Sequence, residues 1–446
     1  MKYFFVTILF LIPFWLHGQS WSGYNTSLYG GIHSINYQPE IHSVMPADWD
    51  INVLSANLTF FNENFFGMDP IGDVKNGNIK SIDDIYKNHT GFVNANIQLP
   101  SVAYKINEKS TVGFSWSIRA LLFSNISNGR LSSFIDNINN ISDAPASFTN
   151  DFARGFLIAW GQYGFSYSRE ILNKNRNKLS AGGTFNILSG AGSIYLDLSD
   201  VNFSYADSVL SDVELSLRFA TTQEADELIT EKKIPLFEKI GVGVDLGLTY
   251  ERLKNTRAGS SYFYKVGFSI NGLGKIKYKN SSSANSINVS SDRISKESFS
   301  NIESFSQLRD TLTSVFDVEL DDTNSISSRL PLDIRLYGDI YVHNRIYMHV
   351  AYTRLITYFG SEKYNELSFS QYYIVPRYES EIIGIYLPFT YSSFLNFESG
   401  LAFRWKPLVI GSGNLFSYFI GGDKSTNLDI YFTTRIMINK KKNRVP

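Results

Sequence analysis

The stretch Ile240-Gly241-Val242-Gly243-Val244-Asp245-Leu246-Gly247-Leu248-Thr249-Tyr250 decides the fold. Every even position is apolar, and the odd ones are glycine, aspartate or threonine. A β-strand sends successive side chains to opposite faces, so this segment predicts a strand lying between a greasy environment and a wet one. The pattern recurs. Val112, Phe114, Trp116, Ile118 and Ala120 oppose Gly113, Ser115, Ser117 and Arg119. Leu332, Ile334, Leu336, Ile340 and Val342 oppose Asp333, Arg335, Tyr337, Asp339 and Tyr341. After a turn around Asn344, Ile346, Met348, Val350 and Tyr352 oppose Tyr347, His349 and Thr353. Near the end, Phe397, Leu401, Phe403 and Trp405 oppose Glu398 and Arg404, and Leu428, Ile430, Phe432, Ile436 and Ile438 oppose Asp429, Thr433 and Arg435. A one-residue slip would turn these charges to the greasy side, so register is firmly specified.

Two solvents per strand predict an all-β, transmembrane antiparallel β-barrel with lipid outside and a polar lumen inside. Aromatic residues make up 15% of the chain, with 34 Phe and 27 Tyr, a surplus that barrels use at both lipid–water interfaces. A large soluble β-sandwich would also alternate, but it would bury its apolar face against a second sheet and need no such surplus of Tyr.

Counting all runs gives about fourteen strands, with starts near Asp50, Gly91, Ser110, Arg154, Lys178, Glu238, Ser261, Leu330, Arg345, Leu367, Ser380, Leu395, Leu408 and Asn427. Joins alternate between short ones, such as Asn107 to Lys109 and His343 to Arg345, and mostly long ones: Asn62 to Thr90, Phe123 to Asn150, Ser199 to Phe237, Asn280 to Arg329. Short periplasmic turns and long extracellular loops are the asymmetry of outer-membrane barrels. Within Ser199 to Phe237, Val201–Tyr205 and Val213–Phe219 are expected as loop structure; were they to span, the count would become sixteen. The 280–329 insert is expected to carry an amphipathic helix with Ile302, Phe305, Leu308, Leu312 and Phe316 on one face after a Ser300/Glu303 capping box.

Met1 and Lys2, an apolar run from Tyr3 to Leu16, and Gly18 before Gln19 read as a signal peptide over 1–18; the run is shorter than the roughly 20 residues of a spanning helix. Export and the absence of Cys suit a bacterial envelope and exclude disulfides and thiolate metal sites. Residues 19–49 show no sustained alternation. They are expected to plug the lumen, which in a barrel this wide must hold water or protein; a disordered periplasmic leader is the alternative. Residues 50–440 form the barrel and 441–446 a solvated periplasmic tail.

No motif carries catalysis. There is no G-x-S-x-G elbow and no Cys nucleophile, and His349 lacks a local Ser/Asp arrangement, although distant strands can assemble a hydrolase site. Asp317, Glu319, Asp321 and Asp322 lack the turn glycine of a calcium loop and read as a solvated acidic loop. No metal and no cofactor is expected, and a net charge of −1 offers nucleic acid no basic patch. By parity the lumen-facing set is Arg119, Asp245, Glu251, Asp333, Arg335, Asp339, His349, Glu398, Arg404, Asp429 and Arg435. Mixed signs predict pairing with one another and with the plug; a solute-selecting constriction at Asp333, Arg335 and Asp339 is the alternative.

Leu28-Tyr29-Gly30-Gly31, Asp50 through Asn57, Val244-Asp245-Leu246-Gly247, Ser269 through Ile276, Gly400 through Arg404 and Ile410 through Leu415 resemble the Bacteroidota outer-membrane barrels grouped as domain of unknown function 5723. That family is similar to long-chain fatty acid transporter and type IX secretion-associated barrels, which implies fourteen strands and an N-terminal hatch. Where those relatives often carry Asn-Pro-Ala, this chain has Gln38-Pro39-Glu40. The expected function is passive uptake or binding of hydrophobic or small solutes in the bacterial outer membrane. The alternatives are a non-transporting scaffold for envelope or secretion proteins and a barrel hydrolase.

Overall fold

The computed structural model describes residues 21, 23–40, 47–63, 89–127, 146–206, 209–225, 239–254, 262–279, 281–295, 307, 310–311, 314–315, 325–357, 367–392, 396–420 and 426–439. The expected signal segment, the acidic loop, the apolar positions of the expected helix and the 441–446 tail lie outside the described residues. Helical geometry at 307, 310–311 and 314–315 falls within that expected helix, and Val315 packs against a buried cluster containing Phe148 and Phe203.

The strands are β1 (Trp49–Glu63), β2 (His89–Gln98), β3 (Ser101–Asn107), β4 (Ser110–Ile126), β5 (Ala146–Lys174), β6 (Asn177–Ala206) and β7 (Val209–Thr222). They continue as β8 (Lys239–Leu253), β9 (Tyr262–Lys279), β10 (Ser281–Ser295), β11 (Ser325–Arg329), β12 (Leu332–His343), β13 (Ile346–Thr357) and β14 (Leu367–Glu379). The last are β15 (Ile383–Tyr386), β16 (Phe389–Ser392), β17 (Asn396–Ser399), β18 (Leu401–Trp405), β19 (Leu408–Ser412) and β20 (Thr426–Ile438). β1 pairs with β20 from Trp49↔Ile438 to Asn62↔Thr426, so the sheet closes on itself as an antiparallel barrel of fourteen strands. Several barrel strands are broken by residues that cannot donate to the ladder: Pro100 separates β2 from β3, Pro331 separates β11 from β12, and Pro388 separates β15 from β16.

The segments expected as loop between Ser199 and Phe237 are strands. Val201–Tyr205 belongs to β6 and Val213–Phe219 to β7, and the two pair with each other. They do not raise the count, because β7 runs beside residues 194–206 of β6 while β8 runs beside residues 177–190. β7 and β8 are thus one barrel strand carrying an excursion between them. The 280–329 insert also begins with a strand, β10, which continues β9 and pairs with β7. Its Ser- and Asn-rich composition conceals it, since backbone pairing asks for no apolar side chain.

At one end, strands meet in tight turns. Asn175-Arg176 and Asn344-Arg345 have φ of 53° and 68°, and 43° and 69°, the two successive positive values of a two-residue hairpin turn. Around the barrel, the outward face is apolar: Leu58, Phe165, Phe185, Val242, Leu246, Phe268, Leu336, Ile374, Phe403, Ile410 and Ile430 are all exposed. The opposite face is buried and changes character along its height.

Candidate functional site

Cross-strand register builds the far half of the interior in rows. Phe61 on β1 faces Phe92 on β2, Phe92 faces Phe123 on β4, Phe123 faces Phe156 on β5, and Phe156 faces Tyr195 on β6. The Phe123 and Phe156 rings lie 5.7 Å apart. All four phenylalanines are buried, in one cluster with Leu121, Ile158, Trp160, Leu188, Ile276, Tyr278 and Leu330. Each belongs to the same face as the polar residues below it, so the interior changes from aromatic to polar within a few residues of strand. Two rows nearer the tight turns, Asn57 faces Asn96, Asn96 faces Arg119, and Arg119 faces Trp160.

Described residues between Trp21 and Glu40 pack against the buried face of the strands near the tight turns. Trp21, Tyr24 and Tyr37 pack with Tyr337, Tyr373, Tyr386 and Tyr431, while Ile32 and Ile35 cluster with Ala103. Polar contacts tie this segment to strands all round the barrel. Ile32 N donates to Asp50 Oδ2 (3.0 Å), His33 Nδ1 donates to Gln98 Oε1 (3.1 Å), and Ser27 Oγ contacts the Tyr386 hydroxyl (2.9 Å) and donates to Glu379. The Tyr37 carbonyl accepts from Ser269 Oγ (2.8 Å), and Glu40 accepts from Thr249 Oγ1 (2.8 Å) and the Tyr337 hydroxyl. Gly182 and Gly247, cross-strand partners on β6 and β8, leave the notch that Pro39 and Glu40 occupy; a Cβ on either would collide with them.

Burial and the charge of Arg435 lower the His33 pKa to about 3, so its imidazole is neutral, whereas burial raises that of Glu40. The two act oppositely on acidification. A released His33 takes up a proton near its ordinary value of about 6.5 that the seated ring refuses, so its contribution to seating is lost as pH falls from there toward 3. Glu40, with a raised pKa, takes up its proton more readily when seated, which offsets part of that loss at the acidic end. Protease cleavage of the segment should therefore accelerate between pH 6.5 and 5 in the natural chain and stay flat in His33→Gln. Equal acceleration in both would sink this assignment.

The residues singled out by parity divide between the two halves. Arg435 makes a two-pronged ion pair with Asp50 and donates from Nη1 to the Tyr24 hydroxyl (3.2 Å). Asp339 is shared by His349 Nδ1 (3.2 Å) and Arg377 (2.8 Å), and Arg377 also holds Glu379 (3.1 Å). Arg404 binds the Ser380 and Glu381 carbonyls and lies 4.2 Å from the centre of the Tyr29 ring. Arg335 pairs with Asp333 (3.1 Å) and covers the Tyr37 ring, and Glu251 pairs with Lys178 (3.3 Å). Higher up, Asp245 accepts from Asn186 Nδ2 (2.6 Å) and Gly272 N (2.7 Å). Asp429 accepts from Asn57, Thr59 and Gly413 N, and Glu398 is buried on the same face. Arg119 donates weakly to Gln162 Oε1 (3.4 Å) and lies 5.3 Å from the centre of the Trp160 ring.

Parity reading missed Asp50, Arg377 and Glu379, which complete these pairs, Glu40, which accepts from Thr249 and Tyr337, and the phenylalanine row. The row has a signal: the odd positions that give Gly113, Ser115, Ser117 and Arg119 continue as Leu121 and Phe123. Among the described residues no group of three or more His, Cys, Asp or Glu is placed to hold a metal ion.

A Pseudomonas aeruginosa FadL homologue is similar in structure with a TM-score of 0.46 and 10% identity, over 95% of this chain and 99% of that one. The Pseudomonas putida toluene transporter TodX gives 0.45 and 10%, over 92% and 95%, and the Ralstonia pickettii toluene transporter TbuX gives 0.44 and 9%, over 92% and 94%. No curated protein matches the sequence. Residues 45–413, most of the chain, match the family described as "Family of unknown function (DUF5723)", and the protein belongs to that family.

Proposed function

We propose that the protein is an outer-membrane barrel that takes hydrophobic solutes into its far half and passes them when the N-terminal segment shifts. The buried row Phe61, Phe92, Phe123 and Phe156 carries this reading, because a wide barrel that only needed filling could do so with polar side chains and water. Membrane placement is supported by the exposed apolar side chains that recur on the outward face around the barrel, the face a transmembrane barrel turns to lipid. The segment from Trp21 to Glu40 acts as the plug.

The ion pairs that fasten residues 21–40 favour a second reading, a sealed scaffold for envelope or secretion proteins. One experiment separates the two. The chain has no cysteine, so Ile32→Cys with Ala103→Cys, two members of one buried cluster, creates a unique lock. Vesicles carrying the reduced protein should accumulate N-phenyl-1-naphthylamine faster than empty vesicles, and oxidation should abolish the difference reversibly. Uptake equal to that of empty vesicles in both states would remove transport and leave the scaffold.

A further inference from the structure

At the tight-turn end, strands β5, β6, β8 and β9 sort their charges by sign between the two faces of the wall. The carboxylates turn inward: Glu251 and Glu170 lie 3.3 and 3.9 Å from the Lys178 ammonium, and all three side chains are buried. The cations Arg169, Lys174 and Arg252 turn outward. Arg169 is exposed on the face of β5 that carries the exposed Phe165 and Tyr167. Nearer the turn, one row of cross-strand partners crosses the four strands: Lys174 faces Asn177, Asn177 faces Arg252, and Arg252 faces Tyr264. Arg252 Nη1 donates to Asn177 Oδ1 (2.6 Å) and to the Asn175 carbonyl (2.9 Å), and the Tyr250 hydroxyl donates to the same Asn177 oxygen (2.7 Å). These bonds hold the guanidinium on the outer face and leave its Nε and Nη2 unused among the described residues. None of the three cations makes an ion pair among the described residues. The next row in, Leu172, Leu179, Tyr250 and Val266, already belongs to the apolar outward face. Cations set side by side at the edge of such a face repel one another unless an anion lies between them.

We propose that Lys174, Arg252 and Arg169 form an outer-wall site for an anionic phospholipid of the leaflet at the tight-turn end. This rests on the membrane placement proposed above. The phosphate sits between Lys174 and Arg252, and the acyl chains lie on the apolar rows beyond. Residues two strands apart in one row have backbones about 10 Å apart, a span that two long side chains close onto a single phosphate. The free Nε and Nη2 of Arg252 offer the planar fork that matches two phosphate oxygens, and Lys174 adds a point charge. Arg169, two rows further from the turn, extends its apolar stem along the surface and carries its charge back toward the head group. The three cations face sideways, on the same surface that meets acyl chains, rather than off the turn tips, and this favours a lipid over an acidic soluble protein.

Native mass spectrometry of the full detergent-solubilised chain with equimolar dioleoylphosphatidylglycerol and dioleoylphosphatidylcholine tests the assignment. The natural chain should retain the anionic lipid over the zwitterionic one by at least about tenfold, since each Lys or Arg beside an anionic head group is worth roughly fivefold. Lys174→Gln, at a side chain that makes no hydrogen bond among the described residues, should lower this preference roughly fivefold. Arg252→Lys should keep more of it than Arg252→Gln, and Lys406→Gln, in the turn between β18 and β19, should leave it unchanged. Heat-modifiable migration identifies the variants that fold. Displacement of the lipid by inorganic phosphate would reduce the site to an anion cradle, and displacement by poly-L-glutamate would give the surface to an acidic protein; either overturns the proposal. Equal retention of the two lipids by the natural chain, or a preference unaltered in both Lys174→Gln and Arg252→Gln, overturns the site and leaves membrane placement intact. A chain that stays soluble without detergent and retains neither lipid overturns both.

Discussion

Replacing Arg435 with methionine is expected to destabilise the barrel by about 3–5 kcal/mol, because it leaves the Asp50 carboxylate buried without its cation. Both partners are almost completely excluded from solvent. The pair joins β20 to β1 at the seam where the sheet closes, and the same two side chains hold Tyr24 and the Ile32 amide of the N-terminal segment. The loss should appear twice: as a lower temperature for conversion of the heat-modifiable band, and as faster proteolysis within residues 21–40. The double variant Arg435→Met/Asp50→Leu removes the stranded charge and should recover most of the barrel's stability. It should not recover segment protection, because the Ile32 amide still lacks its acceptor, worth about 1–3 kcal/mol. A single variant as stable as the natural chain would show that the pair clamps nothing.

Phe123→Asp should abolish binding of apolar ligands, with a loss of at least about thirtyfold. Removing a buried phenylalanine forfeits roughly 1.5–3 kcal/mol of apolar contact, and a carboxylate in its place draws water into the row. Phe123 is the appropriate position because it stands between Phe92 and Phe156 in the row, and Leu121 and Ile158 form the next row down. Asp50 and Gln98, which fasten the N-terminal segment, lie further along the strands toward the tight turns. Protease resistance of the segment should therefore be unchanged. Ligand affinity equal to the natural chain's would exclude the far half as the binding site.

The two variants probe opposite halves of one buried face, and those halves differ in how far the sequence discloses them. Alternation at Ile240–Tyr250, and again at Leu332–Val342, distinguishes the two faces of a strand from residue identity alone, because side-chain period is a local property of extended backbone. The tight turns at Asn175-Arg176 and Asn344-Arg345 are legible for the same reason. β10 and the upper part of β6 were not. β10 is Ser- and Asn-rich, and the alternation of Val201, Phe203 and Tyr205 does not say whether that stretch prolongs a strand, begins a new one or sits in a loop; only the pairing of β7 along β6 and β10 determines that they are strands and that the count stays at fourteen.

Pairing partners were beyond local reading as well. Asp50 and Arg435 are separated by 385 positions, and Glu40 reaches Tyr337 across 297; no periodicity links such residues. The phenylalanine row is intermediate. Each member is visible as an apolar residue on a face that is polar further down its strand, but that four of them lie side by side is a consequence of register across β1, β2, β4 and β5.

The sequence by itself thus determined that this chain forms strands with two unlike faces, where most of them turn, and which charged residues share the inner face, since each follows from the geometry of a few consecutive residues. Tertiary structure alone decided which charges meet, that Trp21, Tyr24 and Tyr37 pack against tyrosines of distant strands, and that Phe61, Phe92, Phe123 and Phe156 stand in one row. The reason is that closure of the sheet and its strand register bring together residues hundreds of positions apart, and a hydrogen-bonded ladder fixes those neighbours independently of their separation along the chain.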